Sequence, residues 1–299
     1  MNTVRRTTLS MAALALVLVA YDANAGKREQ RSVDAHARGT VTISNTAGSV
    51  EVRGWSRSEV QVDADLGWDV EELVVDRDGD DVLVKVVAPK RRGRSNISSE
   101  LVIRVPEGND VEVGVVSADI ESRDVYGEQD LHSVSGDVEL QAFEADISVE
   151  TVSGDIEILG DGKSTHSEVT SVSGDIDLRG LSGDLDTSTV SGDLTVAEGE
   201  FDRAMVNTVN GDIVLRAGIS DRARLDLETI NGRIDINFEG DVNARFDIES
   251  FNGSIRNCFG PEAVRTSKYT PGRSLKFSEG DGSARVTVRT LNGSFRMCR

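Results

Sequence analysis

Aspartate recurs at a nearly constant interval through the second half of the chain, one position after a glycine in every copy but the first. Asp119 is the first, and an acidic residue often recurs two positions further along. The residues of these two columns, here called the acidic stripe, are Asp137, Asp155, Asp175, Asp193, Asp212, Glu139, Glu157 and Asp177. Carboxylates in a line can attract a cation or a basic partner, because their fields add. They can also accept backbone N–H groups where a chain bends, so both roles stay open.

Known cation-binding and catalytic motifs do not match these carboxylates. The calcium-binding nonapeptide pattern Gly-Gly-x-Gly-x-Asp does not occur, so no cofactor is predicted and only calcium is left open. His36, His132 and His166 do not share a repeat phase, and the sequence has no nucleophile elbow, zinc-ligand spacing or phosphate loop. We therefore predict that the protein is not an enzyme. A polysaccharide lyase or hydrolase that uses clustered carboxylates is the alternative.

The overall charge narrows the class of partner. Lys and Arg number 33 against 52 Asp and Glu, which gives a formal net charge of −19. Such a surface cannot neutralise phosphates, so nucleic acid is excluded as a partner. A basic envelope protein, a cationic peptide or an envelope glycan is predicted instead. The one basic run, at residues 90–94, is expected to be a solvated loop.

The aspartates belong to a repeated phrase, Ser-Val-Ser-Gly-Asp-Ile-Asp-Leu at residues 171–178. Its central glycine recurs 18 to 21 residues apart, with one gap of 40, at Gly136, Gly154, Gly174, Gly192, Gly211, Gly232, Gly253 and Gly293. A fixed period is typical of stacked units that cannot bury their apolar faces alone. Alternating β-branched residues between the glycines indicate strands. The sequence therefore predicts an all-β fold, a β-solenoid with coils of about 20 residues.

Stacking the repeats places equivalent residues in columns. Two apolar columns are predicted to form dry spines in the core. The first contains Val134, Val152, Val172, Val190, Val209, Ile230, Phe251 and Leu291. The second contains Val138, Ile156, Ile176, Leu194, Ile213, Ile234, Ile255 and Phe295. A hydroxyl column, predicted to share the outer face with the acidic stripe, contains Ser133, Thr151, Ser171, Thr189, Thr208, Thr229, Ser250 and Thr290. The asparagines of the neighbouring column, predicted to form a hydrogen-bonded ladder, are Asn210, Asn231, Asn252 and Asn292.

Two cysteines share a repeat phase. Cys258 and Cys298 each lie five residues after a repeat glycine. Equivalent positions on adjacent coils are about 4.8 Å apart, which a disulfide tolerates. We therefore predict a disulfide that pins the C-terminal end, with residues 260–280 as an excursion from the stack. Two free thiols are the alternative.

The chain divides into four parts. Residues 1–25 have the positive end, short apolar run and small-residue cleavage site of a secretory signal peptide. Residues 26–32 are expected to be a flexible leader, residues 33–116 larger irregular N-terminal coils or a cap, and residues 117–299 the regular solenoid. No later stretch is apolar enough to span a membrane. We predict an exported protein, in the periplasm or alternatively outside the cell.

The Thr-Val-Ser/Asn-Gly-Asp-Ile repeats, the export signal and the Gly-Ser-Val-Glu-Val strand at residues 48–52 resemble a bacterial domain-of-unknown-function family labelled "putative adhesin". The resemblance spans roughly residues 33–297 and implies a single-stranded β-helix. Together with the acidic stripe, it favours a non-enzymatic, adhesin-like envelope binding or scaffold protein. That protein would present a repetitive acidic and Ser/Thr face. A surface adhesin and a carbohydrate-active β-helix enzyme remain the alternatives.

Overall fold

The computed structural model of the protein describes residues 26–89 and 96–298 of the 299-residue chain. The predicted signal peptide and the basic run at residues 90–94 lie outside the described residues. All regular secondary structure in the described part is β-strand, which confirms the all-β prediction. No helix there has the length and apolar character needed to cross a membrane.

The N-terminal region caps one end of a stack of parallel coils. Its strands are β1 (Lys27–Asp34), β2 (Thr40–Trp55), β3 (Glu59–Leu66), β4 (Glu72–Asp78), β5 (Asp81–Val87), β6 (Ser99–Pro106) and β7 (Asp110–Arg123). β2 and β7 pair in parallel along almost their whole length, from Thr40 beside Asp110 to Arg53 beside Arg123. On its other edge β2 pairs with β5 and β6, which in turn pair antiparallel with β4 and β3. The cap therefore covers the edge that β2 would otherwise expose.

Residues 27–32, expected to be a flexible leader, instead belong to β1. This strand pairs antiparallel with β3 over its full length. Across the pair, the Arg28 guanidinium contacts the Asp65 carboxylate at 3.2 Å, and the Gln30 amide donates to Asp63 at 2.8 Å. The backbone groups of β3 need partners on this side, and charged side chains suit the exposed outer strand of a sheet. Because most residues of β1 are charged or polar, its sequence lacks the apolar alternation from which a strand is predicted.

The regular stack follows the cap. Its strands are β8 (Gln129–Ser135), β9 (Val138–Ala142), β10 (Ile147–Ser153), β11 (Ile156–Gly160), β12 (Ser164–Ser173), β13 (Ile176–Arg179), β14 (Ser182–Ser191), β15 (Leu194–Asn210), β16 (Ile213–Asn231) and β17 (Ile234–Phe238). Each coil has one strand segment before its glycine bend and one after it, and both pair in parallel with the equivalent segments of neighbouring coils. Ile156, for example, lies between Val138 and Ile176. Apolar residues of the two segments fill one continuous core.

Glycine is required at the bends because neighbouring coils approach there through their backbones. The N–H group of Gly174 donates to the carbonyl of Ser191 at 3.0 Å. The φ angle of Gly174 is 157°, and a Cβ at this position would lie 2.7 Å from the carbonyl carbon of Gly154 and nearer still to its oxygen. No other residue type fits without moving a coil.

The C-terminal coils are not stacked in chain order. Their strands are β18 (Ala244–Asn252), β19 (Ile255–Asn257), β20 (Val264–Arg265), β21 (Arg273–Glu279), β22 (Ala284–Asn292) and β23 (Phe295–Cys298). The last coil, β22 and β23, pairs with β16 and β17 on one side and with β18 and β19 on the other. In chain order the outermost coil, β18 and β19, therefore comes before the coil beneath it, β22 and β23, which we call the inserted coil.

A second cap closes this end of the stack. β21 pairs antiparallel with the free edge of β18. The ring of Phe246 stacks on that of Phe277 with 4.7 Å between centroids. The ring centroids of Phe238 and Phe259 lie 5.9 and 5.7 Å from that of Phe246. Cys258 and Cys298 form the predicted disulfide, with 5.0 Å between their Cα atoms. Because Cys298 lies in the inserted coil, the bond ties that coil to the outermost one rather than pinning a free end.

The first apolar column does not lie in the core, so this part of the prediction is wrong. Val134 exposes 47% of its surface and Val172 exposes 45%, whereas Ser171 and Thr229 of the hydroxyl column are each 1% exposed. Core-facing positions lie three and five residues before the bend glycine and two and four after it. The last core-facing residue before the bend and the first one after it are an odd number of residues apart. The alternation of inward and outward side chains along a strand is therefore not continuous through the bend. The buried Thr229 hydroxyl finds a partner by donating to the Gly211 carbonyl at 3.2 Å.

Candidate functional site

Six aspartates, here called the ladder aspartates, form a ladder along the bends: Asp119 and the five stripe aspartates that directly follow a bend glycine, Asp137, Asp155, Asp175, Asp193 and Asp212. In each case Oδ1 accepts the backbone N–H of the equivalent residue on the next coil. The distances are 3.0 Å (Asp119 to Asp137), 2.9 Å (Asp137 to Asp155), 2.8 Å (Asp155 to Asp175), 2.8 Å (Asp175 to Asp193), 2.7 Å (Asp193 to Asp212) and 2.7 Å (Asp212 to Arg233). The carboxylates therefore hold neighbouring coils together, because each satisfies an N–H group that the bend removes from the strand pairing.

The ladder uses one oxygen of each carboxylate. Within residues 26–89 and 96–298, no basic side chain forms an ion pair with the ladder aspartates, whereas the neighbouring column is partly paired. There, Arg123 lies 3.8 Å from Glu139, and Arg179 lies 2.8 Å from Asp177. The hydrogen bond and charge of Asp177 raise the pKa of Arg179 above its ordinary value. The acidic stripe thus keeps a line of uncompensated negative charge on the surface.

An exposed apolar column runs parallel to the ladder. We call it the apolar stripe, and in spatial order it contains Val116, Val134, Val152, Val172, Val190, Val209, Ile230, Leu291 and Phe251. These side chains lie on the outer surface, two residues before the glycine or alanine of each bend. Most of them are 39–49% exposed, and Val209 is half-buried. Sequence analysis placed this column in the core. Four hydroxyls of the buried neighbouring column, those of Thr189, Thr208, Thr229 and Ser250, donate to bend carbonyls, whereas those of Ser133, Thr151, Ser171 and Thr290 have no partner in the described part of the chain, so hydrogen bonding does not explain the facing of the whole column.

Asparagines form a second ladder between the two stripes. The Asn231 side-chain amide donates to Asn210 at 2.8 Å, Asn292 donates to Asn231 at 3.0 Å, and Asn252 donates to Asn292 at 3.0 Å. The predicted asparagine ladder is therefore confirmed. Its order along the stack differs from the order along the chain, in agreement with the inserted last coil.

The apolar stripe ends in a cavity of about 450 Å³ at the C-terminal cap. Ile230, Phe251 and Leu291 contribute apolar side chains to its lining. Arg273 and Arg289 also line it, and neither forms an ion pair with a residue in the described part of the chain. The loop before Arg273 closes one side. Glu228 and Glu249 line the cavity as well, so at this end the surface combines two guanidinium groups with two carboxylates.

His36 and His132 make separate local contacts on the surface. His132 lies 3.0 Å from Asp130 and 3.3 Å from Glu150 on an exposed strand face. His36 instead contacts the Arg38 carbonyl at 2.9 Å. Across the described ranges, no three His, Cys, Asp or Glu residues are grouped so that they could hold a metal ion. The side chains whose pKa values are clearly shifted there are exposed Lys and Arg residues beside carboxylates.

Comparison with solved structures finds similar chains at very low identity and with TM-scores below 0.5. A "putative adhesin" from Bacteroides fragilis NCTC 9343 is 11% identical with a TM-score of 0.48, and the match covers 92% of this chain and 99% of that one. A "putative adhesin" from Parabacteroides merdae is 8% identical with a TM-score of 0.47, covering 92% and 97%. A "putative lipid binding protein" from Parabacteroides distasonis is 14% identical with a TM-score of 0.46, covering 92% and 98%. No curated protein is recognisably similar to the chain.

The family comparison is more specific. The model of the Toastrack DUF4097 family matches residues 41–238, a segment that begins in β2 and ends with β17. The match covers well over half of the chain and includes the acidic stripe and most of the apolar stripe. The chain therefore belongs to the Toastrack DUF4097 family.

Proposed function

We propose that the protein is a non-enzymatic, adhesin-like binding or scaffold protein of the cell envelope, and that it holds a basic partner through the acidic stripe. In this proposal the body is a single-stranded β-helix with coils of about 20 residues, each of which repeats the same surface. The protein is exported and acts in the periplasm. The partner is a basic envelope protein or a cationic peptide. The hydroxyl column is buried and takes no part.

One observation carries this proposal. The ladder aspartates stand in a line, each with a carboxylate oxygen that pairs with no basic group of residues 26–89 and 96–298. Ion pairs elsewhere on the surface show that the chain does place Arg and Lys beside acids, as at Arg179 and Lys276. Uncompensated charges in a row repel one another, and a basic partner removes that repulsion.

The shape of the surface favours binding over turnover. A catalytic site needs unlike groups converging in a cleft, often with shifted pKa values. Here the same residue types recur from coil to coil, and three of the charged residues that line the cavity at the C-terminal cap, Glu228, Glu249 and Arg289, are equivalent positions of one such column. A regular surface instead suits a partner that contacts several coils at once, because each coil adds one further carboxylate at the same spacing.

The test is the binding of oligolysine to the mature protein, measured by isothermal titration at low and at raised salt. The charge-removing variant carries Asp137→Asn, Asp155→Asn, Asp175→Asn and Asp193→Asn. A charge-matched control on the N-terminal cap carries Glu71→Gln, Glu72→Gln, Asp78→Asn and Asp80→Asn. We expect salt-sensitive binding that weakens at least about tenfold in the first variant and little in the control. Equal weakening in both variants would show that total charge, not the acidic stripe, attracts the peptide.

A further inference from the structure

The apolar stripe is a surface that the proposed function does not explain. Isolated exposed apolar residues are ordinary, but contiguous rows of them mark docking sites. Val134, Val152, Val172 and Val190 are 45–47% exposed and follow one another on adjacent coils. Leu291 and Phe251 continue the row at 47% and 48% exposure. The row crosses the regular stack and enters the cavity at the C-terminal cap.

The charges beside the apolar stripe decide what can cover it. The ladder aspartates lie on one flank, beyond the bend. The strand face on the other flank has more acidic than basic residues. Its acids are Asp130, Glu150, Glu168, Asp186, Asp226, Glu228, Asp247 and Glu249. Against these stand His132 and Arg289 on the same face, and Lys276, which pairs with Asp247 and Glu249. A second copy of this chain would bring like charges together on both flanks, at a net charge of −19 for each copy. A partner that is apolar along its centre and basic on both sides is complementary to this surface.

The spacing of the apolar stripe selects the secondary structure of that partner. Its side chains repeat once per coil, or about every 4.8 Å along the stack. Seam residues of an amphipathic α-helix occur on average every 3.5 residues, which is about 5.3 Å. Same-face residues of a β-strand are about 6.6–6.8 Å apart and lose register within two coils. A helix lying along the stack therefore keeps an apolar side chain near each coil of the stripe.

We propose that the apolar stripe docks a basic amphipathic α-helix, with the apolar seam of the helix on the stripe and its Lys and Arg residues against the acidic flanks. This proposal rests on the proposed function and specifies the partner of the same surface. The five valines from Val134 to Val209 span about 19 Å, the length of about 13 helical residues.

The experiment uses three synthetic 18-residue peptides and the mature protein. The first peptide has Leu at the seam positions and Lys on both flanks, the second has the same composition scrambled to remove the seam, and the third has Glu in place of Lys. Binding is measured by fluorescence anisotropy, and helix formation on binding by circular dichroism. One protein variant carries V152T, V172T and V190T, which keep the side-chain shape and replace one methyl group of each valine by a hydroxyl. A control variant carries L83T, L159T and V264T, three exposed apolar positions away from the stripe.

We expect the seam peptide to bind and become helical. We expect its affinity to fall at least about tenfold in the variant of the apolar stripe and to stay unchanged in the control variant. If the scrambled peptide binds as tightly as the seam peptide, the helix proposal is wrong while the acidic stripe still binds basic partners. If neither Lys peptide binds, the proposed function is wrong as well. Binding of the Glu peptide would overturn the charge argument for both.

Discussion

The contribution of the aspartate ladder to stability can be divided experimentally into the effect of its hydrogen bonds and the effect of its charges. The perturbation is replacement of Asp155, Asp175 and Asp193 together, by Ala in one variant and by Asn in another. Each of these carboxylates accepts the backbone N–H of the next coil, at 2.8, 2.8 and 2.7 Å respectively. Alanine removes both acceptor and charge, whereas Asn removes the charge and keeps an acceptor oxygen. The difference between the two variants therefore measures the hydrogen bonds, because the lost charges are the same.

The expected magnitudes follow from the two opposing effects. A side chain that caps a free backbone N–H group contributes about 1 kcal/mol, so three lost bonds cost about 3 kcal/mol. Stacked like charges cost about 0.2–1 kcal/mol per neighbouring pair, and both variants gain from removing them. Four neighbouring pairs are removed, a gain of about 1–4 kcal/mol, but a neutral amide oxygen accepts more weakly than a carboxylate, by roughly 0.5–1 kcal/mol for each of the three bonds. The Asn variant should therefore unfold within about 1–2 kcal/mol of the parent protein, and the Ala variant should lie about 3 kcal/mol below the Asn variant.

The assay is urea unfolding followed by far-ultraviolet circular dichroism, at two salt concentrations. Glu157 provides the matched control, because it lies in the neighbouring exposed column and accepts no ladder bond. Its Ala and Gln variants should differ by less than about 0.5 kcal/mol. Raised salt should stabilise the parent more than the Asn variant, since only the parent has the full row of charges. Equal stability of the Ala and Asn variants would refute the ladder as a stabilising element.

Three further changes test the bends, the disulfide and the inserted coil. Gly174→Ala forces a Cβ against the neighbouring backbone and should lower the free energy of unfolding in urea by several kcal/mol. The Cβ of Gly240→Ala meets no atom within 4 Å, so this control should lose about 1 kcal/mol. Similar losses in the two variants would contradict the close approach of the coils at Gly174. Dithiothreitol should lower the free energy of unfolding by up to about 4 kcal/mol for a loop of this length and should not affect a Cys258→Ser variant. An unchanged urea midpoint in the parent would show that the bond does not stabilise the cap. Asn292→Ala removes two ladder bonds and Asn252→Ala one, so the first variant should lose about twice as much stability, about 1–2 against 0.5–1 kcal/mol. The reverse order would indicate coils stacked in chain order.

The repeat period, the strand type and the disulfide could be predicted because each follows from local chemistry. Glycine is needed where coils touch through their backbones, as Gly174 shows, and β-branched residues such as Ile156 and Ile176 suit a stacked sheet. The shared phase of Cys258 and Cys298 was enough to place them on adjacent coils. The role of the aspartates as acceptors at the bends was one of two alternatives, and the structure adds that their partners lie on the next coil.

The order of the C-terminal coils could not be predicted, because every coil presents the same columns. Ile234 can pair with Phe295 as well as with Ile255, so the repeat pattern does not distinguish the two neighbours. The facing of the apolar stripe was missed for a different reason. The alternation of buried and exposed residues is reliable within a strand. Thr229 and Ile234 on the two sides of a bend are both buried although they are an odd number of residues apart, so the bend shifts the alternation. A buried row of hydroxyls beside an exposed row of valines is the opposite of what polarity alone predicts.

The most direct test of the account is photo-crosslinking in the cells that make the protein. A photoreactive amino acid replaces Val172 on the apolar stripe in one version and Leu83 on the N-terminal cap in a control, and the attached partner is identified by mass spectrometry. The account predicts a discrete crosslink from position 172, to a segment that is basic and amphipathic, and none to that segment from position 83. Crosslinks from position 172 to glycan or to an acidic segment, or the same products from both positions, would contradict it.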